Sequence, residues 1–247
     1  MEMEKIEQLR RLIAESKKIV FFGGAGVSTE SNIPDFRSEN GLYQAQQQYG
    51  YTPEEMLSHH FYLENTETFF DYYKNNLIYQ EAKPNPAHYA LAKLEAEGKL
   101  LAVITQNIDG LHQLAGSKKV YELHGSVLRN YCTGCGRFYD LEAVLPLMQK
   151  VPYCPNCDQV IKPDVVLYEE PLQDEVVAGA IAAIMQADLL IIGGTSLAVY
   201  PAAGFIQYFR GQHLVLINKS ATQYDQKAEL VIRDAIGEVF QKVVLSE

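Results

Sequence analysis

Residues 23–37 read Gly-Gly-Ala-Gly-Val-Ser-Thr-Glu-Ser-Asn-Ile-Pro-Asp-Phe-Arg, and their types suit the binding of an anion. Gly24, Ala25 and Gly26 let backbone N–H groups approach a ligand closely, and Thr29 adds a hydroxyl. The run departs from the G-x-G-x-x-G fingerprint, because Thr29 stands where the third small residue belongs. Gln44, Ala45 and Gln46 occupy the place of the ribose-binding acid, roughly 20 residues further on. Alone, such a run is more often a tight turn than a nucleotide site. Asp35, Phe36 and Arg37 then bring an acid, an aromatic face and a guanidinium side by side.

Four further segments place polar groups directly after short apolar runs. They are Thr105-Gln106-Asn107-Ile108-Asp109-Gly110, His124-Gly125, Gly194-Thr195-Ser196 and Asn218-Lys219. Polar residues at the carboxyl ends of strands open onto the ligand crevice of an open α/β sheet. Asn218 suits a ribose hydroxyl, although an Asn after a strand is about as often a turn cap. A lone His at a strand end is more often structural than catalytic. A general base at His124 would nevertheless have an unperturbed pKa close to neutrality.

All four cysteines fall in Cys132-x-x-Cys135 and Cys154-x-x-Cys157, with Gly134, Gly136, Pro155 and Asn156 as turn residues around them. The spacing matches a four-thiolate zinc ribbon. Four thiolates complete a tetrahedral zinc and leave no position for water, so the expected role is structural. Two disulfides or a redox pair are the competing readings. They are disfavoured because the N-terminus Met1-Glu2-Met3-Glu4-Lys5 is charged and unlike a secretory signal.

The elements that must position these groups alternate. Apolar runs at Ile19–Phe22, Leu100–Thr105, Val120–Leu123, Leu189–Ile192, Leu214–Ile217 and Leu230–Ile232 read as strands. Helical patterns begin at Asn85-Pro86 and end at Gly98, run over 174–186, and run over 202–209 before Gly211. This alternation predicts an α/β fold, a doubly wound parallel sheet covered on both faces. Two insertions interrupt it: an aromatic-rich one at about 38–82 and the cysteine module at about 126–163. At 47% hydrophobic and 21% charged residues the chain has enough apolar material for a core. A net charge of −10 argues against nucleic acid as a partner, since phosphate contacts need a clustered basic surface. The apolar runs are too short to cross a membrane. A cytoplasmic setting is expected.

Taken in order, Gly24 to Ser28, Ile33 to Arg37, Thr105 to His112, His124-Gly125, the two CxxC pairs and Gly194 to Pro201 resemble the sirtuin family of NAD-dependent protein-lysine deacylases. The resemblance runs from about Lys17 to Ile236. It implies a Rossmann-like NAD-binding domain (1–37, 83–125 and 164–247) and a small helical and zinc-binding domain (38–82 and 126–163), with the site in the cleft between them. It further implies that NAD meets Gly24, Ala25, Gly26, Thr29, Asp35, Phe36, Arg37, Gln106, Asn107, Ile108 and Asp109. His124, Gly194, Thr195, Ser196, Asn218, Lys219 and Ile236 complete that set. Asn107 and Asp109 would serve nicotinamide, and His124 would act as the base. An acetylated lysine peptide would lie between Val165-Val166-Leu167-Tyr168 and Val199-Tyr200 as an added strand. Nicotinamide, O-acetyl-ADP-ribose and free lysine would be the products. An ADP-ribosyltransferase or a non-catalytic NAD sensor are the alternatives.

Three local expectations follow from the same resemblance. Asn32 stands where many members have Gly and tolerates the left-handed region. Glu169 replaces the glycine of the peptide track, and would be strained if that position needs a positive φ. Phe70 and Tyr73 occupy the positions that hold a Tyr-x-x-Arg pair in members removing acidic acyl groups, which predicts a preference for acetyl.

Overall fold

A computed structural model describes residues 2–35 and 46–246. Its centre is a six-stranded, all-parallel sheet in the order β3-β2-β1-β7-β8-β9. The strands are β1 Ile19–Gly23, β2 Leu100–Thr105, β3 Val120–Glu122, β7 Leu189–Gly193, β8 His213–Ile217 and β9 Leu230–Ile232. Every residue of β1 and β7 is buried, as expected of parallel strands covered on both faces. The residues alternate between two cores. Phe21, Val103, Ile191 and Val215 meet the helices Glu2–Glu15, Pro86–Ala96 and Ile236–Phe240. Val20, Phe22, Ile104, Leu190, Ile192 and Leu216 meet the helix Asp174–Gln186 and the turn at Ala202–Tyr208.

The helix Pro86–Ala96 begins where the sequence places it. Asn85 caps it by accepting from the Ala87 amide, Pro86 fills the first position, and Gly98 follows at φ +73°. The stretch expected as a helix over 202–209 is instead a 3₁₀ helix over Ala202–Tyr208. Gly204 in its middle weakens an α-helix by about 1 kcal/mol relative to Ala.

A third core joins the two insertions. The helices Pro53–Met56, His59–Glu64 and Thr66–Asn76 contribute Met56, Phe61, Tyr62, Phe69, Phe70 and Tyr73. An antiparallel sheet in the order β5-β4-β6 contributes Val127, Cys132, Ile161 and Val165. Its strands are β4 Gly125–Cys132, β5 Phe138–Asp140 and β6 Ile161–Val165. Aromatic rings meet mostly edge to face here, as Phe69 and Phe70 do at 5.2 Å between centroids. That geometry sets the positive ring edge against the negative face.

Register brings the strand ends together. Gly23 pairs with Thr105 on one side and with Gly193 on the other, and Gly193 pairs with Ile217. The loops after β1, β2, β7 and β8 therefore leave the sheet at one level, where strand order reverses around β1. Among the described residues no helix is long and apolar enough to cross a membrane.

Candidate functional site

The loop after β1 turns through Gly24-Ala25-Gly26 and packs back to back with the loop after β7. The Gly26 amide donates to the Gly194 carbonyl at 2.8 Å. A Cβ on Gly26 would lie 2.8 Å from Gly194 Cα, and one on Gly24 would lie 2.9 Å from Thr195 Cβ. Both glycines are thus needed for the close approach of two loops. Gly26 acts through its missing side chain, because its amide is already engaged. Thr29 donates to the Gly26 carbonyl at 3.0 Å, and Asn32 adopts the left-handed conformation at φ +62°.

The loop after β2 carries the densest polar network. Ser28 Oγ donates to Asp109 Oδ2 at 2.6 Å and accepts from Asn107 Nδ2 at 3.0 Å. Asp109 Oδ1 accepts from the Leu111 amide at 2.9 Å. Burial pushes the Asp109 carboxyl above the usual range, opposed by the bonds from Ser28 and Leu111. Gln106 Nε2 donates to Thr195 Oγ1 at 3.1 Å, which ties this loop to the one after β7.

His124 stands between β3 and β4. Its Nδ1 lies 3.0 Å from the Gln106 carbonyl. A carbonyl only accepts, so Nδ1 carries the proton and the lone pair belongs to Nε2. Gly125 beside it sits at φ +76° on β4, and a side chain there would run into the Asp164 carbonyl. The His124 carbonyl accepts from the Val166 amide at 3.0 Å, so His124 and the start of the 165–168 segment are joined directly.

That segment is clipped to the helical insertion. The Tyr168 amide donates to Leu57, and the His59 amide donates to Tyr168. Glu169 adopts φ +76°, so the condition under which it would be strained is met, while its carboxylate accepts from the His60 amide at 3.0 Å. The helix N-terminus that it caps offsets part of the strain. Glu170 accepts from Leu167 and pairs with Lys162 and His59. Burial pushes its carboxyl up, but those partners outweigh burial and hold it below the usual range.

A cleft collects these groups. Ala25, Gln106, Asn107, Ile108, Asp109 and His124 line one part of it. Val165, Val166, Leu167 and Tyr168 line another, facing Val199 and Tyr200. Gly194 and Thr195 are buried beside it, Ser196 and Lys219 are exposed, and Asp35 is half-buried. Asn218 donates to the Ser220 carbonyl at 2.9 Å, as a turn-capping Asn does. Ile236 is buried beneath Gly193 in the core under the sheet. Phe36 and Arg37 lie outside the described residues.

Two features differ from the sequence reading. Phe70 and Tyr73 are fully buried in the third core and do not line the cleft, where Leu57, Asn76, Leu77 and Tyr79 stand instead. The helix Thr66–Asn76 turns its aromatic face into that core, and only the end of the segment reaches the cleft. Ser28, 1% exposed, is the polar centre of the site. Its signal was a hydroxyl two residues after Gly26, directly before Thr29, in a loop where glycines carry the attention.

The four cysteine sulfurs lie within 4.8 Å of one another. Cys132 and Cys157 are 3.3 Å apart and Cys135 and Cys154 3.8 Å apart. A Zn–S bond of about 2.3 Å gives a tetrahedral sulfur–sulfur edge of about 3.8 Å. The donor set fits zinc. None of these cysteines lines the cleft, in keeping with a structural ion.

The Sir2 family profile matches residues 24–201. An NAD-dependent protein deacetylase of Clostridium acetobutylicum is 60% identical over 98% of this chain and 99% of its own. One of Clostridium perfringens is 62% identical over the same shares. A solved Sir2 structure with a deacetylated p53 peptide and 3′-O-acetyl ADP ribose superposes at a TM-score of 0.88, with 39% identity over 98% of this chain and 97% of that one. By profile, identity and fold, the chain belongs to the Sir2 family.

Proposed function

We propose that this chain removes acetyl groups from lysine side chains of proteins at the expense of NAD, releasing nicotinamide, O-acetyl-ADP-ribose and free lysine. Relatives at about three-fifths identity carry the name NAD-dependent protein deacetylase, and a structural neighbour holds the corresponding peptide and acetylated nucleotide. The observation that carries the reading is the bond of His124 to the Gln106 carbonyl, which leaves the Nε2 lone pair for a base beside Asn107 and Asp109 and so supports that role.

NAD, when bound, supplies the ribose carbon that takes the acyl oxygen as nicotinamide departs. The residues fit such a ligand. We assign the pyrophosphate to the two interlocked glycine turns, Gly24, Ala25 and Gly26 with Gly194, Thr195 and Ser196, of which Ala25 lines the cleft, and Thr29, Asp35, Phe36, Arg37, Asn218, Lys219 and Ile236 complete our assignment. Asp109 accepts from a carboxamide, while Ser28, itself held by Asn107, and the Leu111 amide keep its carboxylate in place. Gln106 and Ile108 wall the pocket. Holding reacting groups at contact distance is worth several kcal/mol of barrier. His124 Nε2 takes the proton from the ribose hydroxyl that receives the acyl group.

The acetylated peptide adds as a strand between Val165–Tyr168 and Val199–Tyr200, bound chiefly through its main chain. We divide the chain as the sequence suggests, into an NAD-binding domain (1–37, 83–125, 164–247) and a small domain (38–82, 126–163) that a structural zinc braces. We assign the reaction to the cytoplasm, without nucleic acid or membrane as partner.

Mass spectrometry of an acetyl-lysine peptide with and without NAD tests the reading. His124→Ala should slow acetyl removal roughly 10²–10⁴-fold while NAD binding and melting persist. Near-wild-type turnover would remove His124 from its role. Nicotinamide release without any acyl peptide would point to ADP-ribosyl transfer instead.

A further inference from the structure

Tyr139 occupies the middle of β5 and pairs across the sheet with Asn130. Its ring packs against the third core, and its hydroxyl oxygen lies 3.1 Å from the sulfur of Cys154. Cys154 is 1% exposed, so solvent scarcely reaches that sulfur. The pairing is consistent with a phenol donating to a metal-bound thiolate. A zinc-bound cysteine has no hydrogen, so only the phenol can be the donor.

We propose that Tyr139 is a working part of the metal site, donating to the Cys154 thiolate and thereby setting how firmly the ribbon retains zinc. A zinc dication with four thiolates carries a net charge of about −2. Around a buried sulfur that charge needs donors in place of water. The Cys135 amide supplies one to Cys132 at 3.4 Å, and Tyr139 supplies one to Cys154. Drawing electron density from the sulfur makes it a poorer target for electrophiles, whose attack releases the metal. Because the third core also contains Cys132, Cys154 and the aromatic helices, zinc retention is coupled to the order of that whole layer.

Tyr139→Phe deletes only the hydroxyl. With the zinc-loaded full chain, chelator competition should show metal affinity weakened about 10–100-fold. In the cobalt-substituted protein the sulfur-to-metal charge-transfer band should move to lower energy, because the thiolate becomes richer in electrons. That shift is insensitive to a change in stability alone. Tyr131→Phe is the control: Tyr131 is 41% exposed on the neighbouring strand and its ring contacts Phe138. It should leave both readouts unchanged. Competition curves within two-fold of wild type with an unmoved cobalt band, or an equal effect of Tyr131→Phe, would overturn the assignment.

Discussion

The hydroxyl of Ser28 donates to Oδ2 of Asp109 across 2.6 Å, joining the glycine-rich loop after β1 to the loop after β2. The same oxygen accepts from Asn107, so one small side chain orients both polar groups of the proposed nicotinamide pocket. It also makes the burial of Asp109 tolerable, since burial and this bond act on its carboxyl in opposite directions.

Ser28→Ala should therefore lower kcat/KM for deacetylation about 10–100-fold. A buried charged acceptor that loses a donor costs on the order of 1–3 kcal/mol. NAD-dependent nicotinamide exchange should fall in parallel, because the lesion lies in the nicotinamide pocket. Ser28→Ala kinetics within two-fold of wild type would show that the bond is incidental.

Removing zinc should disorder the third core before it touches the sheet. The chain has 16 tyrosines and no tryptophan, so its fluorescence reports largely on tyrosines such as Tyr62, Tyr72 and Tyr73 of that core. Elemental analysis should give one zinc per chain, and chelation should change the emission and inhibit deacetylation along one time course. Full activity in protein shown to be metal-free would refute a structural role for the ion.

Acid should weaken the fold through His88 and His112. Both are buried, with ring centroids 4.7 Å apart. Burial lowers His88 from 6.5 to about 4 and drives His112 well below its ordinary value, with the neighbouring His88 adding to the effect. Above the unfolded value both states are neutral. As pH falls below it, the unfolded chain takes up protons that the folded core refuses, so stability falls with pH until His88 itself protonates. Asp109, shifted upward, acts with the opposite sign. The histidine part is therefore read as a difference from His112→Phe. Between pH 6 and 4.5 that variant should lose less stability than wild type in urea titrations, by up to about 1.4 kcal/mol per pH unit. Identical slopes would assign the acid sensitivity elsewhere.

The sheet and its polar strand ends were legible because a parallel strand buried on both faces must be continuously apolar, and its loop must then supply everything polar. Gly23 and Gly193 mark those ends, and the register pairs them. Asn32 and Glu169 were legible as left-handed positions, and both adopt positive φ. What escaped depended on partners distant in sequence. Ser28 gains its role only when Asp109 arrives, 81 residues away. Glu169 finds its cap on His60, in the helical insertion. Phe70 and Tyr73 have the spacing of a pocket pair, but spacing cannot say whether a helix turns that face to a cleft or to a core, and here the third core takes it.

The corrected lining still favours a neutral acyl group. Among the described residues no lysine or arginine lines the cleft, whereas Asp109, Glu169 and Glu170 do. Lys74, the cation nearest in sequence to Tyr73, donates to the Met148 carbonyl of the cysteine module. A succinyl or malonyl carboxylate would enter a half-buried space beside acids and without a cationic partner among the described residues, at a cost of several kcal/mol. The methyl of an acetyl group asks only for apolar walls, and Leu57, Leu77, Ile108 and Leu167 provide them. On one peptide sequence, kcat/KM should thus be at least 100-fold higher for the acetyl-lysine than for the succinyl-lysine version. Placing an arginine at Leu77, on the cleft wall, should narrow that ratio by giving the carboxylate a bidentate partner. A wild-type enzyme faster on the succinyl peptide would mean that a cation reaches the acyl group from outside these walls.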